Sequence, residues 1–238
     1  KGTAWQCTTL MQAFIFPGIV FGMFFILNFF VWGEASTAAV PFGTMVAVMA
    51  LWFGVSVPLT FFGAFLGFRR DVIEYPVRTA DIPRQIPEQP WYLNQIVLVL
   101  VGGLLPFGAI FVELFFILTS IWLDQYYYVF GFLLVVCMVL IITCAEITIV
   151  MGYFQLCSED YRWWWNSFLV SGSSAIYVFV YSVHYFYTQL NITKGTTSVL
   201  YFGYMAVISL TYFFASGIIG FSAMFYFNRR IFGAVKVD

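Results

Sequence analysis

Six uninterrupted apolar runs limit what this chain can become more than any motif does. They are Thr8–Trp32, Pro41–Phe68, Leu93–Leu123, Tyr127–Leu156, Trp163–Tyr187 and Ser198–Phe227. Roughly 20 apolar helical residues cross a bilayer, so each run is long enough to span one. In hydrocarbon every backbone amide needs an internal partner, which admits only helices and closed barrels. These runs are too long for barrel strands and do not alternate apolar with polar residues. The expected fold is therefore an all-α integral membrane protein, a bundle of six transmembrane helices forming one polytopic domain over residues 1–238. Composition agrees, since 9% of the residues are charged against roughly 25% in soluble domains. A net charge of -1 supplies no basic field for nucleic acid.

Orientation follows from the basic residues. Lys1, Arg69, Arg70, Arg78, Arg84, Arg162, Arg229, Arg230 and Lys236 fall on one side of the six spans, and Lys194 alone on the other. The positive-inside rule then places both ends of the chain in the cytosol. Residues 69–90 become a cytosolic loop rich in proline and arginine, and residues 228–238 a cytosolic tail. Trp5, Trp32, Trp91, Tyr92, Trp122, Tyr126, Tyr161 and Trp163 mark the ends of the runs, where amphipathic rings anchor at the headgroups. The chain starts at Lys1 without a methionine, so it is expected to be a portion of a longer protein.

The third run carries the sharpest local signal, Gly102-Gly103-Leu104-Leu105-Pro106-Phe107-Gly108, with Glu113 beyond it. Pro106 has no amide hydrogen and crowds the carbonyl of Gly102, so the third helix is expected to kink or break there. Glu113 and Glu146 are acids inside apolar runs and His184 lies near a run end. An intramembrane acid is expensive, which makes Glu113 and Glu146 candidates for a proton or ion route. The competing reading is a hydrogen-bonded acid that only packs. A contact between His184 and Glu113 would titrate in the acidic range of an organelle lumen, while the plainer reading makes His184 an interfacial residue.

Gly18 with Gly22, Gly63 with Gly67, and the stripe Gly43, Ala47, Ala50, Gly54 and Pro58 predict close helix–helix contacts. In the loop, Arg78 and Arg84 are expected to be held by acidic side chains, helix-end carbonyls or headgroups. Four prolines there favour extended backbone that clamps the bundle or docks a partner. The cysteines Cys7, Cys137, Cys144 and Cys157 make no metal pattern and are expected to form no disulfide. Asn191-Ile192-Thr193 is a glycosylation sequon too close to the bilayer for modification to be expected. One histidine supports no catalytic triad or metal site, and no glycine loop cradles a phosphate, so no catalytic residue, metal or cofactor is expected.

A resemblance narrows the field. Pro76-Val77-Arg78-Thr79 and Ile82-Pro83-Arg84-Gln85-Ile86-Pro87, followed by Trp91-Tyr92 and the Gly-Gly-Leu-Leu-Pro-Phe-Gly run ending at Glu113, resemble the nonaspanins, the transmembrane 9 superfamily. The resemblance covers the whole chain and implies the last six of nine spans, without the luminal domain and the first three. It implies a multi-pass protein of Golgi and endosomal membranes, acting in vesicle trafficking and in the sorting and transport of other membrane proteins, and no enzymatic reaction. The ending Lys236-Val237-Asp238 resembles a retention signal of the family, read by vesicle coat proteins. Expected partners are thus membrane lipids, client transmembrane proteins and a vesicle coat. A second class stays open, a transporter or channel for a small solute, metal ion or proton that uses Glu113 and Glu146.

Overall fold

A computed structural model of the chain describes residues 4–34, 39–71, 73, 75–77, 82, 84–122, 126–190 and 194–234, without the side chains of 112–122, 126–130, 132 and 133. Its helices are α1 (Trp5–Gly33), α2 (Phe42–Leu51), α3 (Val57–Arg69), α4 (Gln95–Trp122), α5 (Tyr126–Cys157), α6 (Trp163–Gly172), α7 (Ser174–Gln189) and α8 (Gly195–Ala234). A π turn, Trp52–Ser56, joins α2 to α3. No strand occurs among the described residues. Five described helical stretches are long and apolar enough to cross a membrane, so the all-α membrane class is borne out.

The chain divides into two compact units. One comprises Lys1–Glu74 with Ile192–Val207, the other Tyr75–Asn191 with Ile208–Asp238.

In the first unit two prolines shape the helices. Pro17 lies inside α1 and cannot donate to the carbonyl of Ala13, four residues back. That carbonyl accepts instead from the indole Nε1 of Trp52 at 3.2 Å. Trp52 opens the π turn, where the amide of Val57 reaches back to the carbonyl of Trp52. Pro58 follows immediately near the start of α3. A wider π turn relaxes the crowding that a proline ring imposes on the preceding turn. The ring of Trp52 also packs on Phe14, Phe21 and Phe53, with centroids 5.9, 6.1 and 5.2 Å away. The turn from α1 to α2 is stapled by Asn28, 3% exposed. Its Oδ1 accepts from the Val40 amide at 2.9 Å and its Nδ2 donates to the Val40 carbonyl at 3.2 Å.

In the second unit hydroxyl residues share the interior with apolar ones. Ser171, Ser173, Ser174, Ser216 and Thr148 are buried beside Cys144, Val170 and Met224, while large apolar side chains such as Leu134, Val135, Met138 and Ile142 face outward. Helices in lipid associate through close packing and hydroxyl bonds.

The third span does not break at Pro106: α4 runs as one helix from Gln95 to Trp122 with the proline inside it. In the fifth span Ser173, itself at helical φ and ψ, lies between α6 and α7. Two hydroxyls reach carbonyls of α4 about two turns before Pro106: Ser173 Oγ donates to Val99 at 2.6 Å and the Tyr177 hydroxyl to Leu100 at 2.7 Å. Neither is the Gly102 carbonyl, which Pro106 leaves without its amide partner.

Candidate functional site

The first unit holds an apolar groove of about 560 Å³. Its walls include Phe16, Pro17, Val20 and Phe21 from α1, Val48 from α2, Trp52 and Ser56 from the π turn, and Tyr204 from α8. Most of these residues lie near the middle of their apolar runs, which puts the groove at hydrocarbon depth. Both backbone irregularities of the unit, Pro17 and the π turn, sit in its wall, and the Trp52–Ala13 hydrogen bond ties them together. With no charged side chain in the described lining, what it can do chemically is accept apolar surface: a helix face or a lipid chain.

The second unit holds the other concentrated chemistry, a seam of small and hydroxyl residues. Gly103 lies so close to the α6–α7 junction that a Cβ there would collide with Ser173 Oγ and come within 2.8 Å of the Ser174 amide nitrogen. Gly102 abuts Val170, Gly220 abuts Ser171 and Thr148, and Gly152 abuts Met224. Ser171 Oγ donates to the Ser216 carbonyl at 2.7 Å and Ser174 Oγ to the Tyr212 hydroxyl at 3.0 Å. Every hydroxyl in this set is used in packing, and none is paired with a base.

At the end of α5 the chain turns sharply. The Asp160 amide bonds the Gln155 carbonyl at 3.2 Å and the Glu159 amide the Leu156 carbonyl at 3.0 Å, the two bonds of a Schellman ending. Glu159 takes the left-handed position at φ 61, where glycine is usual. The turn folds Asp160 back so that its carboxylate accepts from Gln155 Nε2 at 3.1 Å and from the Arg162 amide and Nε at 3.0 and 3.2 Å. Burial alone would raise the Asp160 carboxyl, but the Arg162 and Gln155 hydrogen bonds and the guanidinium charge outweigh it and hold it below its ordinary value. The loop docks on the same turn. Arg84 Nη2 lies 3.2 Å from Glu159 Oε2, and Gln89 Nε2 donates to the Ser158 carbonyl at 2.9 Å.

The residues singled out from sequence do not converge. Gly102, Gly103 and Pro106 are buried in the seam, while Gly108 is exposed with open space beside it. Glu146 is exposed on α5 and His184 exposed on α7, neither with an ion pair among the described residues. The side chain of Glu113, and Arg78, Asn191, Ile192, Thr193, Lys236 and Asp238, lie outside the described residues. All four cysteines are unpaired, with Cys144 buried. The predicted glycine contacts need correction: a Cβ at Gly22, Gly43, Gly54, Gly63 or Gly67 would meet nothing within 4 Å, and one at Gly18 would meet only Trp52. Small residues permit close approach only where a neighbouring helix lies opposite, and the described residues put none there. Two features had no usable signal in the sequence, namely the Trp52 indole on the carbonyl freed by Pro17 and the hydroxyls gathered at Ser173. A proline's orphaned carbonyl does call for a donor, but not for one 39 residues away.

The family model for endomembrane protein 70 matches residues 1–196. The chain is 60% identical over 238 residues to transmembrane 9 superfamily member 10 of Arabidopsis thaliana and 53% identical over 238 residues to member 4 of Homo sapiens. It is 54% identical over 237 residues to member 2 of Homo sapiens. The whole chain is covered in each case, but it spans only 36% to 37% of the length of these relatives. No solved structure matches it.

Proposed function

Since this chain belongs to the endomembrane protein 70 family, the transmembrane 9 superfamily, we propose that it is membrane machinery of Golgi and endosomes that sorts other membrane proteins by taking their transmembrane segments into the groove of its first unit. The relatives' names carry no enzymatic activity. The observation that carries the reading is the groove itself, apolar, at hydrocarbon depth and fixed by Pro17, Trp52 and the π turn. A client helix needs a concave apolar wall and close backbone approach, since lipid gives no hydrophobic drive for helices to associate. The faces at Gly43, Gly54, Gly63 and Gly67 are open to close approach by another helix. The cytosolic tail, with Lys236 and Asp238, would return the protein to the Golgi through a vesicle coat.

The test uses the complete protein that contains this chain. A photoreactive residue at Val20 or Val48 is expected to crosslink the transmembrane segment of a single-span reporter in transit. Val20→Trp with Val48→Trp fills the groove and is expected to remove the crosslink and mis-sort the reporter while the protein still reaches the Golgi. Normal sorting with the groove filled would refute the client reading. Golgi residence is tested separately by Lys236→Ala, which is expected to move the protein to post-Golgi membranes.

A further inference from the structure

The second unit contains a cavity of about 560 Å³ lined by Trp91, Trp164, Trp165, Asp160, Arg162 and Asn166, among others. It lies where α4 and α6 begin, at the boundary between the polar loops and the apolar runs, the depth at which headgroups sit. Three features give it the chemistry of a phosphate site. Asp160 engages Arg162 through Nε and the backbone amide only, which leaves both terminal guanidinium nitrogens for a second anion. α6, ten residues long, begins without a side-chain cap, and the amides of Trp164 and Trp165 find no acceptor outside their helix among the described residues, so the helix end favours negative charge. Asn166 is 7% exposed, lines the cavity, and has no hydrogen-bond partner among the described residues, while its polar atoms are not sealed off. A buried amide left open onto a cavity marks a place for a polar ligand.

Charge then selects the ligand. Asp160 and Arg162 are the ionisable side chains in the described lining and they cancel, so a headgroup with excess negative charge would find no second cation. The three indoles in the lining instead supply the aromatic surface that an ammonium or quaternary ammonium prefers. We propose that this cavity binds the headgroup of a zwitterionic membrane phospholipid, with the phosphate on Arg162, Asn166 and the start of α6 and the choline or ethanolamine against the tryptophans.

The complete protein in nanodiscs, doped with photoreactive phosphatidylcholine, phosphatidylethanolamine or phosphatidylglycerol, tests this by the label found on residues 89–95 and 160–169. The two zwitterionic lipids are expected to label these peptides about tenfold more than phosphatidylglycerol. Arg162→Gln and Asn166→Leu are each expected to cut that label about tenfold. Asn166→Leu is also expected to melt no lower than the parent, because its amide holds no other group. Since Asn166→Leu leaves the Asp160–Arg162 pair intact, its loss of label reports binding and not folding. Equal labelling by phosphatidylglycerol, or full labelling in both variants, would overturn the proposal. So would loss of label on adding soluble glycerophosphocholine at the concentration of the lipid probe, which would assign the cavity to a soluble phosphodiester.

Discussion

Gly103→Ala sets two magnitudes against each other. Alanine in place of a mid-helix glycine favours an exposed helix by about 1 kcal/mol. At Gly103 the added Cβ meets Ser173 Oγ, the Ser174 amide nitrogen at 2.8 Å and the Ser173 carbonyl carbon at 2.9 Å. Two of these are backbone atoms, which no rotamer change can move. Overpacking of this kind costs about 1–3 kcal/mol, and displacing Ser173 also loses its bond to Val99, about 1 kcal/mol more. The net expectation is a loss of about 1–3 kcal/mol. Gly108→Ala is the control, since it lies in the same helix with nothing within 4 Å of the new Cβ, and it should be neutral or stabilising by up to about 1 kcal/mol. The assay is thermal unfolding with a thiol-reactive dye, on a background where the exposed Cys7, Cys137 and Cys157 are serine, so that the dye reports the opening of buried Cys144. Ser173→Gly added to Gly103→Ala should restore only part of the loss, because the backbone contacts remain. A Gly103→Ala protein as stable as the Gly108→Ala protein would refute the close approach of α4 to the α6–α7 junction.

Trp52→Phe keeps an aromatic ring but orphans the Ala13 carbonyl, and should cost about 1–2 kcal/mol in detergent unfolding. In a Pro17→Ala background the restored amide can serve that carbonyl, so the same substitution should cost measurably less there. Asn28→Ala removes both hydrogen bonds to Val40 and should cost about 2 kcal/mol, a loss that an unchanged unfolding midpoint would contradict. Asp160 has a carboxyl held below its ordinary 3.8. Its contribution to stability is therefore present above about pH 4 and lost as pH falls below that, and Asp160→Asn should flatten this part of a melting profile. Glu146→Gln should leave stability unchanged or raise it, because Glu146 is exposed on an apolar helix with no ion pair among the described residues. A clear drop in melting temperature would mean that its carboxylate is paired.

The fold class was legible because the length of an apolar run is a direct physical requirement of the bilayer. Finer features were legible only where their cause is local. Gly102, Gly103 and Pro106 drew notice for their composition and do lie buried in the seam, but the sequence suggested a kink or break at Pro106, and α4 runs through it as one helix. The donors that hold α4 from the fifth span, Ser173 and Tyr177, stand more than 70 residues beyond their acceptors. No periodicity announces that pairing. The glycine stripes at Gly43 to Gly67 were misread for the same reason, since small size is a permission to approach and the partner helix is decided elsewhere in the chain. The turn at Ser158–Asp160 escaped because Glu159 occupies a position where glycine would have marked the helix end.

The serines of the seam explain why register matters more here than bulk stability. Each interhelical hydroxyl bond in a membrane contributes about 0.6 kcal/mol on average, so Ser171, Ser173 and Ser174 together supply only about 2 kcal/mol. An apolar core of equal size would tolerate sliding, because one methyl group can replace another. These hydroxyls cannot slide, because each needs a carbonyl or hydroxyl within about 3 Å, and Ser173 finds Val99 only while Gly103 lets the helices touch. Sliding α4 by one residue would bring Gly102 or Leu104 to that point. Leu104 now faces outward, 53% exposed, and its bulk could not fit against Ser173. The glycine fixes where the helices meet, and the serine fixes that they meet in one register.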